Sequence, residues 1–201
     1  MKISNAPRLD LFTSIHKALR RSLFLTAMDL GGTDFADAAA VTRAHAAVDA
    51  CLGFLREHAE HEDHHVLPRI AALAPGLAEQ LAAEHPALER AAIEVDSLWP
   101  RLAMATVSGP AEVVDHEVTC HALGAELARR FHTLVAAQLR HLDREEREVN
   151  ALFWAHLTDA ELDDMRQAVL ADIPAARAEE WRALMGPAIN RVEREAMARA
   201  A

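Results

Sequence analysis

The stretch FLREHAEHEDHHVLPRI, residues 54–70, packs four histidines and four acids into seventeen positions. A regular helix at about 100° per residue divides them by face. With His58 at zero, Ala44, Ala47, Cys51, Phe54 and Glu62 lie within about 40°, and Leu55 within about 60°. The apolar stripe that must face a core therefore runs into His58 and Glu62. His65 falls near the same row and is a candidate fifth ligand or rim residue. His61 lies to one side, and His64 points away. Pro68 is expected to mark the end of this helix.

A second copy of the pattern lies far along the chain. His58-Ala-Glu-His-Glu62-Asp63 precedes Val66, and His141-Leu-Asp-Arg-Glu145-Glu146 precedes Val149; both read H-x-x-x-E-[DE]-x-x-V. Around His141, residues Leu123, Leu127, Leu134, Ala137 and Leu152 share a face with Glu145. Two further helices carry a histidine on an apolar row. His16 interrupts Leu9, Phe12, Leu23 and Ala27, and His85 interrupts Ala78, Leu81, Ala92 and Trp99. Glu89, one turn after His85, is a candidate ligand or a hydrogen-bond partner for one.

These faces imply an all-α chain. Ala, Leu, Glu and Arg, the strong helix formers, dominate its 201 residues. Four long helices are expected, at about Leu9–Leu30, Phe35–Val66, Gly76–Met104 and Ala111–His156. Gly31-Gly32 stops the first, Thr33 or Asp34 caps the second, and Pro86 kinks or breaks the third. Ser108-Gly-Pro110 is a turn. Short connections between long helices read as an antiparallel up-down four-helix bundle over residues 1–156. Residues 157–201 form a helical extension packing on the bundle. It opens with a Thr158/Glu161 capping box and is punctuated by Pro174 and Pro187.

Composition excludes several classes. The formal net charge of −10 argues against a nucleic-acid surface and against electrostatic membrane attachment. Uninterrupted apolar runs fall short of the ~20 residues that span a bilayer. The N-terminus lacks the pattern of a secretory signal, and Cys51 and Cys120 are not in metal-binding or redox spacing. A cytoplasmic location is expected, with a homodimer as one possible assembly.

Imidazoles and carboxylates on four core faces cost several kcal/mol each if left uncompensated. Metal ligation by His16, His58, Glu62, His85, His141 and Glu145 explains them most simply. Mixed nitrogen and oxygen donors suit iron, manganese or zinc. Carboxylates from two helices can each bridge, which favours a dinuclear centre.

The paired H-x-x-x-E-[DE] segments, the IHKALR at 15–20 and the EH at 84–85 resemble the hemerythrin-like (HHE cation-binding) family over about residues 9–156. The resemblance implies an up-down four-helix bundle with a non-heme di-iron centre. Zinc or manganese would be substitutes for iron. His16, His58, His85 and His141 would be terminal ligands, and Glu62 and Glu145 bridges. Oxygen-carrying members use two histidines one turn apart on the third helix and a His and Asp five apart on the last. This chain has His85/Glu89 and His141/Glu145 instead, which points toward sensing, iron handling or nitrosative stress. The implied function is binding or sensing of O2, NO, peroxide or iron state. Competing readings are a di-iron peroxidase, oxidase or NO-detoxifying enzyme, and a metal-independent helical interaction module.

Overall fold

The computed structural model describes residues 8–107 and 113–200, and every regular element among them is helical. The expected turn at 108–110 and the start of the fourth helix at Ala111 lie outside the described residues. In chain order the elements are α1 (Thr13–Gly32), α2 (Ala38–His61), α3 (Leu67–Leu73), α4 (Pro75–Asp96), α5 (Trp99–Val107), α6 (Val113–Arg144) and α7 (Asn150–His156). They continue with α8 (Asp159–Asp172), α9 (Ala175–Met185) and α10 (Arg191–Ala200). Two wide-turn π-helical segments, π1 (Glu62–Val66) and π2 (Glu145–Val149), join α2 to α3 and α6 to α7 without a break.

The boundaries correct the sequence reading in four places. The first helix begins at Thr13 rather than Leu9. The Leu9 amide donates to Asp159 at 3.3 Å and its carbonyl accepts the Trp154 indole N–H at 2.9 Å, so neither serves a helix. Asp10 then receives the amides of Phe12 and Thr13, each at 2.9 Å, and starts the helix. The second helix begins at Ala38, where Asp37 accepts the Ala39 amide at 2.9 Å. Thr33 instead donates to the Asp29 carbonyl at the end of α1, and Asp34 accepts the nearby Ala36 amide.

Pro68 does not end the second helix, which runs on to Leu73. In π1 the Leu67 amide reaches back five residues to the Glu62 carbonyl. The proline sits where this wide turn hands over to α3, a first-turn position that tolerates a missing amide. Pro86 likewise lies inside α4 without ending it. The break comes at Ser97–Leu98, just ahead of Pro100, whose fixed φ suits the first turn of α5. The Ser97 hydroxyl donates to the Glu94 carbonyl at 2.8 Å at this end of α4. The helical run Ala38–Leu73 is long enough to cross a bilayer. Its most apolar window has a mean hydropathy of 1.2 and is 39% buried, values that a core helix also reaches.

The chain forms two compact units. One comprises residues 8–18, 60–82 and 141–200. Its core joins Phe12, Val66, Ile70, Ala78, Leu81, Val149, Phe153, Leu157, Leu162 and Met165. The expected Thr158/Glu161 capping box starts α8, and α8 packs on π1. Arg8 bonds the Trp154 and Leu157 carbonyls and the Asp159 carboxylate, and Asn150 donates to Asp10 at 3.1 Å. The other unit comprises residues 19–59, 83–107 and 113–140, with Leu23, Val48, Val95, Leu102, Leu127 and Phe131 fully buried. There Gly124 lies directly beneath the Phe35 ring, in the space a Cβ would occupy.

Two predictions follow from these contacts. Glycine inside a helix costs up to about 1 kcal/mol against alanine. Gly76→Ala, with open space around it, should be neutral or stabilising by up to that amount. Gly124→Ala should instead destabilise by about 1–3 kcal/mol, because the methyl displaces the Phe35 ring. Chemical denaturation of both variants tests the contrast. Asp10→Ala removes the helix cap and the acceptor for the buried Asn150 amide, for a loss of about 1–3 kcal/mol.

The Asp10 loss should depend on pH. Burial pushes the Asp10 carboxyl up, but hydrogen bonds from Thr13, Phe12 and Asn150 outweigh it and hold it below its ordinary 3.8. A depressed folded-state value stabilises above 3.8, and that part is lost as pH falls through the folded value. The difference between wild type and variant should be flat from neutral pH to about 5 and narrow below 3.8.

Candidate metal centre

Four sequence-predicted ligands meet in the first unit. His16 comes from α1, Glu62 opens π1, His141 lies in the last turn of α6, and Glu145 opens π2. All four are buried, at 0%, 3%, 4% and 3% exposure. His16, Glu62 and Glu145 each offer a ligand atom within 4.8 Å of the others, and so do Glu62, His141 and Glu145. The two sets share both carboxylates.

The oxygens divide between the histidines. Glu62 places Oε1 3.9 Å from His16 Nε2 and Oε2 3.9 Å from His141 Nε2. Glu145 places Oε2 3.6 Å from His16 Nε2 and Oε1 3.3 Å from His141 Nε2. Each carboxylate thus presents one oxygen to each imidazole. The other His16 nitrogen, Nδ1, lies 3.1 Å from Glu146 Oε1. Burial pulls the His16 imidazole down, but the carboxylates of Glu146 and Glu62 overcome this and hold it above its ordinary 6.5. The Phe12 ring stands 5.5 Å from the His16 ring.

Local structure sets this arrangement. Both glutamates begin a wide turn, and both of their carbonyls accept an amide five residues on, from Leu67 and Asn150. Such turns inside helices recur at functional sites. The wide turn also shifts the helical phase after each glutamate. Val66 is buried where the ideal phase put His65, and Phe153 is fully buried where it put Leu152.

His65 accordingly leaves the inward row, and its Nε2 bonds Asp172 of α8 at 2.7 Å. His64 is exposed and its Nδ1 meets the Glu60 carbonyl at 2.7 Å.

The remaining predicted ligands, His58 and His85, belong to the second unit and are buried there at 9% and 8% exposure. His58 lies one helical turn before Glu62 on the same helix. Glu89 is exposed, as are His45, His121, His132 and His156. His45 stacks on Trp99 at 4.6 Å. Cys51 is buried, and burial pushes its thiol up despite hydrogen bonds with Ser22 and Thr26, so it packs as a small apolar group.

Glu146 is the residue that sequence reasoning missed. It was visible only as the second acid of the repeat. The signal that could have found it is the second nitrogen of a buried histidine, which needs a partner of its own.

This buried histidine–glutamate cluster can hold a metal ion. No protein-family model, no curated protein and no solved structure matches the chain.

Proposed function

We propose that the chain is a non-heme di-iron protein of the hemerythrin-like type, binding or sensing a small ligand such as O2, NO or peroxide. Glu62 and Glu145 would bridge the ions, with His16, His58, His85 and His141 as terminal ligands. The observation that carries this reading is the division of each carboxylate between His16 and His141. A carboxylate that gives one oxygen to each of two imidazoles would suit a bridging role between ions held by those imidazoles. His58 and His85, both buried, are the donors proposed to complete the set. The long helical runs would form an antiparallel up-down bundle around it.

Mixed imidazole and carboxylate donors fit iron, with manganese or zinc as substitutes. Iron would supply one-electron chemistry and open coordination positions for a diatomic ligand or peroxide. The chain's own part is to hold the donors in place and exclude water. The buried carboxylates offset part of the cationic charge, and Phe12, Val66 and Val149 belong to the apolar cluster of the same unit.

Protein produced with ample iron should carry a pair of irons per chain and show a charge-transfer band when oxidised. Chelation should lower its stability, because metal that binds only the folded state stabilises it. At free metal one hundred times Kd the difference is about 2.7 kcal/mol. Elemental analysis and thermal melts measure both. A well-folded, iron-supplied preparation with only trace metal rejects the reading. Spectra of the anaerobic protein exposed separately to O2 and NO then select the ligand.

A further inference from the structure

We infer that Glu146 is the positioning residue for His16: it accepts the Nδ1 proton and so turns Nε2 toward the carboxylates shared with His141. The inference rests on the dinuclear reading above and assigns a role within that site that the ligand pattern does not contain.

The argument begins with the ring. An imidazole has one nitrogen available to a metal only if its proton sits on the other. His16 is fully buried, so a proton on Nδ1 needs an acceptor inside the protein. Glu146 Oε1 lies 3.1 Å from that nitrogen, and the Glu146 side chain is only 21% exposed. The opposite nitrogen faces Glu62 and Glu145 at 3.9 and 3.6 Å. The two sides of the ring therefore meet different carboxylates with different tasks.

The backbone explains how one segment supplies both sides. Consecutive residues of a regular helix point about 100° apart. Glu145 and Glu146 nevertheless both reach His16, one at each ring nitrogen, from the first two positions of π2. The Phe12 ring beside His16 adds an apolar contact that restricts the imidazole plane. A charged acceptor on Nδ1 also makes Nε2 a stronger donor to a cation, as carboxylate–histidine–metal arrangements do.

The test uses zinc, which fits the same donors and gives sharp NMR spectra. Zinc affinity of the wild type, Glu146→Gln and Glu146→Ala is measured by competition with a chromogenic chelator. Glu146→Gln keeps the shape and an acceptor oxygen but removes the charge; Glu146→Ala removes both. Glu146→Gln should weaken zinc binding about 10- to 100-fold, and Glu146→Ala at least as much. Glu146→Gln, which keeps an acceptor oxygen, should lose zinc affinity while its metal-free melting stays near that of the wild type; a merely structural role would instead lower metal-free stability and leave the zinc affinity of the folded fraction unchanged.

A second measurement stands even where a variant folds poorly. Long-range 1H–15N spectra of the zinc-loaded wild type should show His16 protonated on Nδ1 and metal-bound through Nε2. Wild-type zinc affinity in both variants, or a His16 proton on Nε2, overturns the positioning role and leaves the metal site standing. A wild type that binds no zinc and no iron overturns both.

Discussion

Glu62 and Glu145 bring two carboxylates into one small buried volume, and like charges there cannot both persist without positive charge between or beside them. An uncompensated buried ion costs several kcal/mol, a large part of the 5–15 kcal/mol that holds a typical domain together. The surroundings answer this constraint. His16 and His141 flank the pair, and each carboxylate presents an oxygen to both. A protonated imidazole can offset one charge in the metal-free protein, in keeping with the upward shift at His16. Cations bound by the same atoms would offset both.

The sequence reveals this constraint because it places polar groups where an apolar row should continue. That single argument found His16, Glu62, His141 and Glu145, which the structure buries together in one unit, and it found His58 and His85 as buried residues of the other. The all-helical class and the capping box at Thr158 were equally legible, since propensity and local side-chain bonding decide them. The errors have one main origin. An ideal phase of about 100° per residue assumes a uniform helix, and π1 and π2 violate it. His65 was placed inward, and the next residue, Val66, is the buried one; on the last helix Phe153 is fully buried, while Leu152 is partly buried against the same cluster. The continuation of the helix past Pro68 was missed because the wide turn puts the proline in a first-turn position, where a missing amide is tolerated. Composition does not announce a wide turn, so nothing local in the sequence predicts this shift.

Residues 157–200 were the least legible part, because their partners lie far away in sequence. Leu157, Leu162 and Met165 share one apolar cluster with Phe12, Val66 and Val149, residues close in sequence to the ligands. Polar links join the same segments. His65 meets Asp172, Arg69 meets Glu161 at 3.7 Å, and Lys17, next to His16, pairs with Glu193. Half-exposed ion pairs of this kind contribute about 0–1 kcal/mol each. The apolar cluster therefore holds α8 more strongly than these charged pairs do.

The two copies of the repeat are alike in what they offer a metal. Each supplies a buried histidine, a buried glutamate one turn later, and a wide turn that begins at the glutamate. The acid that follows differs in type and in exposure. Glu146 is half-buried against His16, whereas Asp63, at the equivalent place, is exposed. The wide turn thus serves two purposes in π2, setting the bridging carboxylate and bringing its neighbour to the far side of an imidazole. In π1 it sets the carboxylate and turns the next residues outward, where His65 meets α8. Both wide turns thus link the carboxylates to their surroundings: π2 carries Glu146 to the far side of His16, and π1 carries His65 to α8.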